Sequence, residues 1–377
     1  MLRIALQSLV HEKGKLVAAL FGVAFAASLV LAQTGLYVGM RQTTASVVAR
    51  VGGDLWVMAK GTQLLDFADN LSAGTRNAVA AHPCVTDARV VVFSWTVVRK
   101  PSGGIENVQL IGYEPRGRNA LPWSMAAGLP GDLHGPMRVS VDSTDLERLE
   151  VAGPPARAVG TEMQLGGQSV YVGAVSRGIR SFTVVPYLFA EARNAQRMVG
   201  LAENQYTYWA IDLREPSCKA DVIRTIERSR DLEAHGAEEF GDMTSDYWIL
   251  RSGAGATLGF SALLGLIIGV VIVGQTLFAM TENRLRELAT LKAMGASNVE
   301  LIRFVAWQAA FLGVLGGALG VVLALGMKKG VAAIGLSLVL SPGVLGVGLG
   351  SILCMCALAS LASVRKVLSL EAAAVFR

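Results

Sequence analysis

The sequence is poor in the groups that carry out chemistry. Its 377 residues include four histidines (His11, His82, His134 and His235), and no two stand at a metal-ligand spacing. HEKGK at 11–15 lacks the second histidine that a zinc-protease helix needs. No G-x-x-x-x-G-K-[ST] loop is present, and Gly14-Lys15 runs straight into an apolar stretch, where it cannot cradle a phosphate. No serine or cysteine sits in a nucleophile-elbow context. These absences argue against an enzyme. No metal, no cofactor of its own and no nucleic-acid partner is expected for this chain.

Charge is scarce too, at 17% of residues, and the scarcity is concentrated. Residues 16–40, 256–280, 304–327 and 344–364 contain no Asp, Glu, Lys or Arg, over 25, 25, 24 and 21 positions. A helix needs about 20 apolar residues to cross a hydrocarbon core. Four such runs predict a membrane α-helical fold with four transmembrane helices. A cleaved signal peptide is the competing reading of the first run, but its apolar region would normally be shorter, roughly 7–15 residues. The spans lack the buried ionisable groups that proton- or ion-coupled transporters use as relays. Gln33, Gln275 and Gln308 are their most polar members, read as interhelical hydrogen-bonding groups. Glycines four apart (255/259, 265/269, 313/317, 316/320 and 346/350) allow close helix packing within or between subunits.

What is present between the first two runs differs in kind. Residues 41–250 alternate strand-like runs, such as ARVVVFSWTVVR (88–99), VQLIGY (108–113), MRVSV (137–141), SVYVGAV (169–175) and TYWAIDL (207–213), with helix-like pieces at 72–81, 144–150, 189–200 and 218–230. PSGG at 101–104 reads as a hairpin turn. This is a large α+β domain inserted between transmembrane helices 1 and 2.

Charge also assigns sides. Residues 42–250 hold 20 Lys+Arg against 24 Asp+Glu, and the rest of the chain holds 14 against 5. Basic flanks mark the cytoplasmic face. Arg3, Lys13 and Lys15, then Arg284, Arg286, Lys292 and Arg303, then Arg365, Lys366 and Arg377 place both termini and the 281–303 connection inside. The inserted domain is then extracytoplasmic, with Tyr37, Tyr247 and Trp248 near the outer helix ends. Lys328 and Lys329 fall on the outer side and run against the rule. The expected order is a cytoplasmic interfacial helix (1–15), helix 1 (16–40), the domain (41–250), helix 2 (256–280), a cytoplasmic elbow (281–303), helix 3 (304–327), a short outer loop (328–343), helix 4 (344–364) and a cytoplasmic tail (365–377). Cys84 and Cys218 share the inserted domain, and an oxidising compartment permits a disulfide between them. Sequence alone does not bring them together.

The elbow carries the densest pattern in the chain. ENRLRELATLKAM continues helix 2, Gly295 ends it, and Ser297-Asn298-Val299-Glu300 is a capping box that starts helix 3. Arg284, Arg286, Glu287 and Lys292 are expected to be exposed beside Leu288, Leu291 and Met294. Charge and capping alone leave two readings open: a solvated connection, or a docking surface for a partner.

RLRELATLKAMGA (284–296) resembles the cytoplasmic signature of FtsX/MacB-like ABC transporter permeases. Residues 247–288 and 5–36 are similar to the DevC-type subgroup, and VRKVLSLEAAAVFR (364–377) to the family's usual ending. The likeness is loose across 42–240. No fused ATPase domain precedes the first run, unlike MacB itself, so the resemblance implies a separate ATPase subunit that binds ATP and Mg. It further implies a homodimer in the bacterial inner membrane, with the elbow as the ATPase-coupling surface. For the DevC-type it implies a periplasmic membrane fusion protein, a TolC-like outer-membrane channel and export of a lipid, glycolipid or other hydrophobic compound. Two alternatives stand beside this: a lipoprotein-releasing permease, and an FtsX-like regulator of cell-wall hydrolases that transports nothing.

Overall fold

The computed structural model describes residues 11–67, 69–114, 121–202 and 204–368. They divide into two compact units: Met40–Ser252, and Met1–Gly39 with Gly253–Arg377. The interfacial helix expected over 1–15 lies outside the described residues as far as residue 10, as does the tail from residue 369.

The first helix, α1 (Lys13–Val51), does not stop where the charge-free run stops. Its last turns stay helical because Val47, Val48 and Val51 bury one face against Trp56, Phe93 and Phe240 of the inserted domain. There follow β1 (Leu55–Ala59), β2 (Leu71–Ser72), α2 (Ala73–Ala80), β3 (Val85–Arg99), β4 (Ile105–Tyr113), β5 (Met125–Ala127), β6 (Arg138–Asp142), β7 (Glu162–Leu165), β8 (Gln168–Ser176) and β9 (Tyr187–Glu191). The domain closes with α3 (Ala192–Val199), β10 (Gln205–Tyr206), β11 (Tyr208–Leu213), α4 (Lys219–Glu227), β12 (Leu232–Gly236) and α5 (Ala237–Asp246), which runs into a π-helical turn, Tyr247–Arg251.

The main sheet has the order β12-β1-β11-β3-β4-β9-β6-β8-β5, with β7 pairing both β3 and β8. Pairing is antiparallel except for β4 with β9 and β6 with β8. Strand β3 is its spine. Side chains alternate across a sheet, so Val90 and Val92 enter one core with Leu110, Val141 and Val172, while Val91 and Phe93 enter another with Trp56, Ile111 and Tyr208. The turn at 101–104 closes the β3–β4 hairpin, with Gly103 at φ +90° and the Lys100 N–H donating to the Gly104 carbonyl at 2.8 Å.

One helical expectation fails. TDLERLE at 144–150 forms a series of turns. The Asp142 carboxylate takes the Thr144 N–H and hydroxyl, and Glu150 leaves the segment with φ +56°. Cys84, at the foot of β3, is joined to Cys218, just before α4, by a disulfide with Cα atoms 5.9 Å apart.

The second unit contains α6 (Ala254–Asn283), the short α7 (Leu285–Ala293), α8 (Asn298–Ala333) and α9 (Pro342–Leu368). Helices α1, α6, α8 and α9 are long and apolar enough to cross a membrane. Helix α6 leaves Phe260, Leu264, Ile267, Ile268 and Val271 exposed, a ridge too apolar for water and suited to lipid. Glycine decides how closely the helices approach. Gly316 and Gly320 of α8 seat Val23 and Ala27 of α1; a Cβ on Gly320 would lie 2.3 Å from that of Ala27. Gly265 and Gly269 seat Leu29 and Ala26, and Gly313 and Gly317 face Leu353 and Leu349 of α9. Gly259, Gly346 and Gly350 face open space, so any packing they serve lies outside this chain. Gln308 is buried on α8, whereas Gln275 is exposed on α6.

Candidate functional site

The 281–303 connection is built as a rigid double bend. Arg284 breaks α6 at φ −112°, ψ 15°, and its N–H still reaches the Thr281 carbonyl at 3.1 Å. Helix α7 then runs for nine residues and ends in a Schellman motif. The Ala296 N–H donates to the Leu291 carbonyl at 3.0 Å and the Gly295 N–H to that of Lys292 at 3.1 Å. Gly295 sits at φ +102°, a left-handed conformation that a Cβ resists. Ser297 then caps α8: its hydroxyl accepts from the Glu300 N–H at 3.3 Å, and Glu300 accepts from the Ser297 N–H at 2.8 Å. These bonds, all between residues close in sequence, hold the bend locally.

Packing fixes its orientation. Leu288 is buried against Leu301, Phe304 and Val305 of α8 and Val367 of α9, with Leu291, Ala296 and Val364 at the edge of the cluster. This corrects one expectation: Leu288 is an internal anchor and not part of an exposed surface. Its position on α7, four residues after Arg284, turns it inward. Leu291 and Lys292 are half-buried. Arg284 is also drawn inward, its side chain 19% exposed, with Nε 4.0 Å from Glu12, the residue before α1, and Nη1 3.3 Å from Glu287. Glu12 also holds Lys15 at 2.8 Å, and Glu282 meets Lys366 of α9 at 3.8 Å.

What remains outward is Arg286, Glu287, Met294 and Gly295. Met294 is 72% exposed. Val299, in the first turn of α8, is 56% exposed, and Arg303, one turn further on, is exposed as well. The sequence reading took Val299 only as part of the capping box and Arg303 only as a flanking charge, and counted neither in the coupling surface. The available signal was an apolar residue inside a capping box, a position where no preceding helical turn can cover it. The face thus combines two solvent-exposed apolar side chains on a stiff turn with flanking charges of both signs. It offers no acid–base pair, and among the described residues no group of His, Cys, Asp and Glu could hold a metal ion.

Comparison with known proteins supplies the family. The family described as MacB-like periplasmic core domain matches residues 16–229, more than half of the chain, and FtsX-like permease C-terminal matches 259–372. The chain is an FtsX/MacB-like ABC transporter permease. The second match takes in α7 and the bend, so the elbow belongs to the family's own C-terminal module. An uncharacterized ABC transporter permease of Mycobacterium tuberculosis is 23% identical over 326 residues, covering 86% of this chain and 85% of that one. A pyoverdine export ATP-binding/permease protein of Pseudomonas syringae pv. syringae is 25% identical over 179 residues, 46% of this chain and 25% of that protein. Among solved structures, the periplasmic region of MacB from Actinobacillus actinomycetemcomitans aligns with 51% of this chain and 92% of its own, at 9% identity and a TM-score of 0.36. FtsX/MacB-like permeases of this kind work with an ATPase partner, and the chain itself carries no phosphate-binding loop.

Proposed function

We propose that this permease is the membrane subunit of an ATP-driven exporter of the DevC type, and that its elbow is the ATPase docking surface. ATP and Mg are bound by a separate partner subunit. Two copies of the permease sit in a bacterial inner membrane with both termini and the elbow cytoplasmic and the inserted domain periplasmic. The domain passes its motion to a membrane fusion protein and, through it, to a TolC-like channel. The cargo is a lipid, glycolipid or similarly hydrophobic compound.

The observation that carries this reading is the face made by Met294 and Val299. Exposed apolar side chains on a turn held by a Schellman motif and a capping box are suited to insertion into a partner's groove, where binding energy concentrates in a few desolvated residues. Arg286, Glu287 and Arg303 around them suit orientation and encounter rate. The charge asymmetry supports a cytoplasmic elbow. Spans without ionisable residues support a mechanism driven from outside the membrane, acting on an apolar cargo.

The test is co-purification of a tagged cognate ATPase with permease variants, read together with stimulated ATP hydrolysis in nanodiscs. Met294→Asp and Val299→Asp should each weaken docking by about 2 kcal/mol or more, as for a buried interface anchor. Arg286→Ala should have a much smaller effect. Retention of the ATPase at the wild-type level by the Met294→Asp/Val299→Asp double variant would reduce the elbow to a solvated turn.

A further inference from the structure

A second exposed apolar surface lies in the inserted domain. It is organised around one carboxylate. Asp66 accepts from Trp248 Nε1 at 2.9 Å and from Gln109 Nε2 at 2.6 Å, while its backbone carbonyl accepts from Trp95 Nε1 at 3.1 Å. The loop that presents it is held from below: the Leu65 N–H donates to the Thr244 hydroxyl at 3.1 Å, and the Tyr208 hydroxyl donates to the Leu65 carbonyl at 2.7 Å. The next residue, Phe67, is 58% exposed and stacks on Trp95, with ring centroids 6.2 Å apart and planes at 16°. Trp248 packs on Phe182 at 5.6 Å. Leu250, in the same turn as Trp248, is 72% exposed, and Arg251 lies over the Tyr247 ring and reaches Gln63 of the loop.

Two segments far apart in sequence, 61–67 and Tyr247–Arg251, are thus cross-tied so that Phe67 and Leu250 stand out into the surroundings on a scaffold of indole and phenyl rings. Chain continuity says what those surroundings are. Leu250 is four residues before the first residue of α6, a helix apolar enough to cross a membrane. A turn so close to the start of that helix lies at the level of the lipid headgroups. Rings with a polar edge and an apolar body, together with an arginine, are the residues that favour that layer.

We propose that the 61–67 loop and the Tyr247–Arg251 turn form one membrane-contact surface that seats in the headgroup layer of the phospholipid bilayer, with Asp66 as the positioning residue that holds the loop in place. The turn contacts the bilayer because the chain enters it there. The loop contacts it because Asp66 binds the loop to the turn.

The experiment uses the full chain in nanodiscs of phosphatidylethanolamine and phosphatidylglycerol. Cys354 and Cys356 are replaced by alanine, and Cys84 and Cys218 remain joined. Single spin labels are placed by Phe67→Cys, Leu250→Cys and Ile105→Cys, the last an exposed position on the β3–β4 hairpin. Each is compared for collision with oxygen, which partitions into lipid, and with a water-soluble nickel chelate. The labels at 67 and 250 should favour oxygen over nickel about tenfold more than the label at 105, the contrast expected between an interfacial and an aqueous site. With Asp66→Ala that preference should be lost at 67 and kept at 250, and Asp66→Asn, which still offers an acceptor oxygen, should restore it. Nickel access at 67 equal to that at 105 overturns the proposal. So does dipolar broadening between labels at 67, which would assign the surface to a second copy of the chain. Equal loss at 67 and 250 in Asp66→Ala would overturn the positioning role.

Discussion

Asp142 ends β6, and its buried carboxylate collects the N–H groups of Thr144, Gly178 and Ile179 and the hydroxyls of Thr144 and Ser176, all between 2.8 and 3.1 Å. Three residues on, Asp145 is pushed up to about 6 by burial and by the charge of Asp142. Its folded pKa is thus raised above its ordinary value of 3.8, so the native state holds the extra proton between about pH 4 and 6. Its contribution to stability is present at low pH and is lost as pH rises through 6. Asp145→Asn should therefore raise the unfolding midpoint of the purified chain at pH 7.5, and the gain should fade below pH 5. A gain equal at both pH values would contradict this. None of it was legible in TDLERLE, which has helical composition. The groups that turn it aside, at 176–179, are distant in sequence. Leu288 is a similar case: its apolar character was plain, but whether it faced a partner or its own chain depended on α8 and α9.

Local chemistry was most legible where an element closes on itself. The PSGG hairpin, the glycine stop at 295 and the Ser297–Glu300 capping box need no distant residue, and each forms where the sequence places it. The extension of α1 to Val51 was not legible, because its cause is a core supplied by Trp56, Phe93 and Phe240. The bond between Cys84 and Cys218 is a covalent tie across 134 residues of chain, and it pins the start of β3 to the start of α4. Closing so long a loop restricts the unfolded chain, and a disulfide of this kind typically contributes roughly 2–4 kcal/mol. The Cys84→Ala/Cys218→Ala variant should unfold at a lower temperature than the parent, and a reducing agent should lower the parent to the same midpoint. Coincident melting of oxidised parent, reduced parent and variant would show that the bond carries no stability.

At the scale of the molecule, four charge-free runs and one acidic insertion already specify a four-helix membrane protein with a large α+β domain between its first two helices. The family match extends that architecture to an ABC transporter permease. Everything proposed for the elbow depends on its facing the ATP-bearing side of the membrane while the inserted domain faces the other. This sidedness can be measured directly. In a chain with Cys354 and Cys356 replaced, Ala293→Cys on the outward face of α7 and Ile105→Cys on the β3–β4 hairpin are each treated with a membrane-impermeant maleimide. The cells carry a permeabilised outer membrane and an intact inner one. The expected result is labelling at 105 and protection at 293, with 293 labelled once the inner membrane is opened. Labelling at 293 with protection at 105 would invert the topology and remove the elbow from any cytoplasmic ATPase.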